Sequence, residues 1–386
     1  MRAHAIQGWI VSSKEPIDAV ELAQRVTSIL HTGRREATYK LATLSALIEL
    51  CQEGLPTDRA AALDVAIDDL ARRVIALYWR QRLPFVHTER ATVAGLVLRQ
   101  HTNPVSLILG AIDDLRHVVG QKYGEIPVAL AAERCGDDYA RAADYVGMYL
   151  CREPLRRLQD VPNVNDDAPV ESFMYDAGWM TKSIGRKAIL THGDMIVLRP
   201  GVAWGLARLG GLLKPAVEIA WVDEVLDKNA DVAAHSTFRD IRHHLFGGYP
   251  RVALTKVGGV LKDRYGRSCF YCHTAPATHV DHVLPWWRVG IDGIANLVPA
   301  CRKCNLNKSG LLPAPEHVAR ALERPGLHDV AEIANWPYDW TRTRSAARGV
   351  FFVELKSPAW ERYGHARPVG DLQPLPPILS EPTWQT

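Results

Sequence analysis

Between residue 16 and about residue 160, apolar side chains recur every three to four positions, the period of helices with one face against a core. Arg35–Cys51 sets Tyr39, Leu41, Ala42, Leu44, Ala46, Leu47, Ile48 and Leu50 on that period, and Asp58–Tyr78 repeats it with Leu63, Val65, Ala66, Leu70, Val74, Ile75 and Leu77. Asp58 is placed to cap the second of these helices. Pro84 and Pro104 mark breaks, and a third helical block, Pro127–Leu158, runs into the polar loop 160–169. The pattern then shortens. Ser172–Tyr175 and Ala188–Leu190 read as strands, Thr191–Asp194 as a turn and Met195–Leu198 as a further strand. Pro200-Gly201 opens a long apolar helix to about Leu226, with a kink expected at Pro215. Helices are also expected over Ser236–Leu245, Val252–Tyr265 and Pro315–Arg324, and from Ala366 onward a proline-rich tail, mobile or ordered by contact. No internal repeat is visible.

Composition changes this picture little. The chain of 386 residues is 47% hydrophobic and 23% charged, an ordinary globular balance. No uncharged apolar run approaches the length of a membrane span, and the first residues lack the features of a secretory leader, so a cytoplasmic protein is expected. The distribution of charge is more telling than the net +3. Residues 251–310 hold 9 Lys and Arg against 3 Asp and Glu, whereas the flanking segments are close to balanced. A local positive field of this kind suits a polyanion.

Four of the seven cysteines lie in that same segment as two knuckles, Cys269-Phe-Tyr-Cys272 and Cys301-Arg-Lys-Cys304. Together they make the ligand set of a tetrahedral structural zinc. A redox Cys-x-x-Cys explains neither the second pair nor what lies between. The insert, Thr278-His-Val-Asp-His-Val-Leu284, has strand character and ends at Pro285; Trp286–Gly293 reads as a loop and Lys303–Ser309 as a short helix. Asp281 and His282, adjacent on a strand, point to opposite faces, so a site using both calls for a twist or bulge.

These pieces, Cys-x-x-Cys, Asp-His-x-x-Pro, Asn-Leu-Val and Cys-x-x-Cys-Asn-x-x-Lys, resemble the HNH nucleases of the ββα-metal fold, in the subgroup pinned by a four-cysteine zinc. The resemblance spans residues 262–312. It implies that His282 is the general base, that Asp281 and Asn305 hold one divalent metal, and that Asn296 orients the loop behind His282. It also implies that Lys308 reaches a phosphate. Many members carry histidine where this chain has Asn305; an amide oxygen is a harder ligand and favours Mg²⁺ or Mn²⁺. Arg267, Arg288, Arg302 and Lys303 are candidate phosphate contacts as a group, and His279, on the face of Asp281, is a candidate DNA contact.

The expected architecture is therefore α+β: a mainly helical region with a small β-hairpin element (1–235), linker helices (236–261), the zinc-stapled nuclease core (262–312) and a C-terminal helix with a proline-rich extension (313–386). The implied function is DNA hydrolysis, with RNA as the other substrate to consider. A looser resemblance, to bacterial HNH endonucleases with a helical N-terminal region, implies defence against foreign DNA. Two alternatives stand beside it: a zinc-stapled binder without catalysis, and a nuclease held off by a ligand-sensing N-terminal region. A homodimer or a partner protein, assembled through that region, is the alternative to a monomer.

Overall fold

Helix α1 (Ala19–His31) buries one side, through Leu22, Val26, Ile29 and Leu30, whereas α2 (Tyr39–Glu53) has eleven of its fifteen residues buried. A helix buried nearly all round has neighbours on every side, and α2 is the axis of the molecule. The computed structural model describes residues 16–31, 37–85, 95–103, 106–160, 172–247 and 251–380. The expected start of a helix at Arg35, the break at Pro104 and most of the loop 160–169 lie outside these.

After α2 come β1 (Leu63–Ala66), α3 (Ile67–Gln81), α4 (Leu107–Tyr123), α5 (Val128–Arg134), α6 (Gly136–Arg152), α7 (Pro154–Arg157), α8 (Arg186–Thr191), β2 (Met195–Leu198), α9 (Val202–Lys228), α10 (Ala230–Ala233) and α11 (Phe238–Phe246). They enclose one large core. α9 runs through Pro215 and, with α3, packs along α2.

Three of the expected elements differ. The helix expected from Asp58 begins only at Ile67, because Leu63–Ala66 pairs antiparallel with Met195–Leu198 to form a two-stranded sheet. The alternation of Leu63 and Val65 suited a strand as well as a helix, and a distant partner decided between them. Ala188–Leu190 is helical, within α8, and Ser172–Tyr175 is a bent segment held by the Gln159 side chain, whose Oε1 accepts from Met174 N at 2.6 Å.

The second half opens with α12 (Arg251–Tyr265) and continues through β3 (His279–His282), α13 (Trp286–Val289), β4 (Leu297–Ala300), α14 (Arg302–Lys308), β5 (Leu312–Pro313), α15 (Pro315–Leu322), α16 (Leu327–Ala334), α17 (Trp340–Val353), β6 (Pro358–Arg362), β7 (His365–Pro368) and α18 (Pro377–Ser380). β3 and β4 pair antiparallel; β5, β6 and β7 form a second sheet in that order. α11 buries Ile241 and Leu245 in the first core, whereas α12 packs Val257 and Leu261 against Ile294, Leu297 and α16. Residues 236–261, expected as linker helices, supply one helix to each half. Of the two states expected from Ala366 onward, the described residues show the one ordered by contact. Trp360, Val369, Leu372 and Leu379 are buried in one core with Cys269, Val283 and Cys301.

The two halves meet along α2 and α17. Gly349 on α17 sits against the backbone of Gln52 so closely that any Cβ there would collide with it. Arg348 Nη1 donates to the Leu55 carbonyl at 2.7 Å.

Candidate active site

The first knuckle is a tight hairpin. Ser268 bridges Pro276, Cys269 N donates to Ala275 O at 2.8 Å, and His273 takes a left-handed φ of 61° to close the turn. The second knuckle sits where β4 becomes α14, and Cys301 caps the helix, its Sγ accepting from Cys304 N at 3.4 Å. Phe270 N to Pro299 O and Thr278 N to Ala300 O tie the two together. All four sulfur atoms lie within 4.8 Å of one another. Burial and the neighbouring cysteines push the Cys304 thiol well up, so four thiolates could share this space only around a cation. The donor set fits structural zinc.

β3 runs antiparallel to β4 in unbroken register, His279 opposite Ala300 and His282 opposite Leu297, so the bulge expected beside Asp281 is not there. Asp281 and His282 accordingly face different partners. The buried Asp281 carboxylate accepts from Tyr271 Oη at 2.6 Å and pairs with Lys308 Nζ, 3.1 Å from Oδ2. Burial, then the adjacent carboxylate, holds the Tyr271 phenol well above its usual range, so it stays a donor.

Lys308, expected to reach a phosphate, is fully buried and spends its ammonium on Asp281 and on the His282 carbonyl at 2.9 Å. Asn305 precedes it by three residues on α14 and therefore shares the face that meets β3. Asn305 is half-buried, and its side chain makes no hydrogen bond among the described residues. Carboxylate and amide oxygens suit a hard divalent cation in donor type; the Lys308 charge opposes one.

His282 turns to the loop between the strands. Its Nε2 lies 2.6 Å from Asp292 Oδ1, and Asp292 Oδ2 accepts from Trp286 Nε1 at 2.8 Å. Trp336 Nε1 holds the Asp292 backbone carbonyl at 2.6 Å. Sequence reasoning missed Asp292. The signal was there: Asp292 is the only acid between β3 and β4, flanked by Ile291 and Gly293 in a loop that must return to the strand end.

Asn296, wholly buried, spans that loop. Its Oδ1 accepts from Leu284 N at 2.8 Å, and its Nδ2 donates to Leu284 O at 3.1 Å and to Ile291 O at 2.9 Å. A single amide thus closes the loop on itself.

The loop is also gripped from the helical half. Lys214 on α9 donates to the Arg288 carbonyl at 3.2 Å and to Glu49 Oε1 at 2.7 Å. Arg342 on α17 reaches the Val289 and Gly290 carbonyls, Glu49 and Glu53. Arg73 on α3 pairs with both glutamates. Burial alone would raise the Glu49 carboxyl; Lys214, Arg73 and Arg342 overcome it and hold Glu49 down at about 2.

Of the expected phosphate contacts, Arg288 is withdrawn: its guanidinium is buried in an ion pair with Glu354, and burial pulls it down to about 10. Arg302 and Lys303 are exposed on α14, and Lys303 stands 4.0 Å over the Tyr363 ring. Arg267 is exposed beside Asp263, and His279 is exposed with its Nδ1 3.0 Å from Thr278 Oγ1.

The comparison with known families is decisive for the segment of the knuckles, the strand pair and the short helix: residues 269–310 match the family model of the HNH endonucleases. The segment is an HNH domain. No curated protein and no solved structure matches the chain. The family match covers residues 269–310 of the 386. Among the described residues no helix is long and apolar enough to cross a membrane.

Proposed function

We propose that the protein is a metal-dependent endonuclease that hydrolyses DNA phosphodiester bonds. The observation that carries this reading is the pairing of His282 with Asp292 at 2.6 Å inside an HNH domain. A carboxylate that accepts from Nε2–H fixes the tautomer and leaves the lone pair on Nδ1, the arrangement of an oriented general base. A carboxylate that only needed burial would not require an imidazole, and a pure nucleic-acid binder has no use for an oriented one.

In this reading His282 takes a proton from the attacking water through Nδ1. Asn296 and Asp292 keep the ring in place. Asp281 and the amide oxygen of Asn305 would hold Mg²⁺ or Mn²⁺, which when bound supplies charge stabilisation at the scissile phosphate. Tyr271 and Lys308 keep Asp281 oriented. The knuckle cysteines would hold zinc as a staple with no part in the chemistry.

Supercoiled plasmid incubated with the protein and Mg²⁺ tests the proposal. Relaxed or linear product from the parent protein, and loss of product by orders of magnitude in His282→Ala with its zinc retained, is the expected result. Binding without cleavage by the parent protein would favour the non-catalytic reading. RNA in a parallel reaction decides between substrates. Defence against foreign DNA is the biological setting we propose, on the looser resemblance of the whole architecture; phage plating on cells expressing the parent protein or His282→Ala tests it.

A further inference from the structure

We propose that the β6–β7 hairpin, outside the HNH domain, forms a second wall of the substrate groove and grips the nucleic-acid backbone beside α14. The inference rests on the nuclease reading and adds to it a surface that the family match does not cover.

The hairpin is fastened to the helix that carries Asn305. β5 leaves the end of α14 and pairs with β6 in parallel, Leu312 opposite Ala359 and Pro313 opposite Trp360. The Asn307 amide, two residues beyond Asn305, then fixes the hairpin from α14 itself: its Oδ1 accepts from Trp360 Nε1 at 2.7 Å and from Gly364 N at 3.2 Å. One side of β6 is thereby anchored, with Ala359 and Trp360 buried. The tip is held at a fixed place instead of waving in solvent.

The outward residues have the chemistry of a polyanion contact. Arg362, Tyr363, Gly364, His365, Ala366 and Arg367 are all exposed, and Glu361 is occupied by Arg367. Neither α14 nor the run 362–368 contains a carboxylate. Tyr363 is 55% exposed. The Lys303 ammonium stands 4.0 Å from its centroid and so ties the tip to the exposed face of α14. Arg302, Lys303 and Arg362 thus give α14 and the hairpin tip one basic, aromatic edge. The seven residues of α14 extend about 10 Å, roughly three axial steps of one DNA strand. A nucleic-acid strand crossing the first turn of α14 would meet Arg302 and Lys303 and then the hairpin tip.

The test measures binding of a 30-base-pair duplex by fluorescence anisotropy at several salt concentrations, in the His282→Ala background so that the probe stays intact. Arg362→Gln, Tyr363→Ser and Arg302→Gln are compared with Arg141→Gln, an exposed arginine of α6 in the helical half. Loss of affinity of about tenfold for the double tip variant is expected, and a salt slope shallower by about one for each arginine removed, with Arg141→Gln unchanged. Retained zinc and an unchanged melting temperature show that the tip variants fold; Arg302→Gln, outside the hairpin, reports on the edge independently. Parental affinity and salt slope in the tip variants, in a protein that cuts DNA, would overturn this inference alone. A parent protein that neither binds nor cuts nucleic acid would overturn the nuclease reading with it.

Discussion

Asp292 holds His282 from the side of the ring that faces the loop, with 2.6 Å between Oδ1 and Nε2, while its other oxygen is taken by Trp286. The carboxylate is therefore fixed before it fixes the imidazole. Asp292→Asn keeps the shape and removes the charge that settles the tautomer. Cleavage should fall by about 10² to 10⁴-fold in kcat, as for other histidines deprived of an orienting carboxylate, with little change in zinc content or duplex affinity. Single-turnover kinetics on a nicked-circle assay will show it; parental kcat in this variant would remove Asp292 from the mechanism.

Lys308 is the internal counter-ion of Asp281, and the two are buried together. A divalent cation at the same carboxylate must share it with an ammonium. Lys308→Met should therefore bind Mn²⁺ or Mg²⁺ tighter, by about tenfold or more given the size of like-charge repulsion at such range, as read by calorimetry. Its melting temperature should drop, because Asp281 loses its buried partner. Weaker metal binding in a folded variant would show that the lysine assists the metal.

The knuckle thiols make a second, separable prediction. Mass spectrometry under native conditions should find one zinc per chain, displaced by a strong chelator or by Cys301→Ser. Because Cys269 and Cys301 lie in the same core as Trp360 and Leu379, their loss should loosen the C-terminal elements too. Hydrogen exchange across residues 312–380 would report it.

Glu49 connects stability to pH. Its carboxyl titrates at about 2 in the folded chain against 4.5 unfolded, so it stabilises the fold above pH 4.5 and that contribution fades as pH falls from 4.5 towards 2. The difference amounts to about 3 kcal/mol. Urea midpoints between pH 6 and pH 3 should fall more steeply for the parent protein than for Glu49→Gln, whose side chain cannot titrate.

Lys214 belongs to the same cluster and touches the loop between β3 and β4 through the Arg288 carbonyl. Lys214→Met should cost several degrees of melting temperature, since it leaves a buried glutamate with one cation fewer. It should also lower kcat several-fold without altering duplex affinity. A drop in stability with parental kcat would make the contact purely structural.

The legible parts of this chain were those in which local chemistry dictates the outcome. The knuckles, the strand around Asp281 and the helix of Asn305 could be read because metal ligands, a proline and a cap leave few options over some forty residues. The long helices Tyr39–Glu53 and Val202–Lys228 were visible in their periodicity and apolar content. What escaped depended on distant partners. Leu63–Ala66 is a strand only because Met195–Leu198 lies beside it. Arg288 and Lys308 looked like surface cations because nothing nearby in sequence announces Glu354 or the closeness of Asp281. Asp292 was overlooked because its partner is brought to it by the loop that Asn296 closes. The proline-rich terminus could be read only as mobile or ordered by contact, because Val369, Leu372 and Leu379 follow no period that announces their burial.

The place where α17 lies on α2, glycine against bare backbone, carries a practical consequence. Here a fragment beginning near residue 251 would carry away α17 with Gly349 and Arg348 stripped of the surface they fit, and would leave behind an opened flank on α2. The helical half and the HNH half are therefore best moved together.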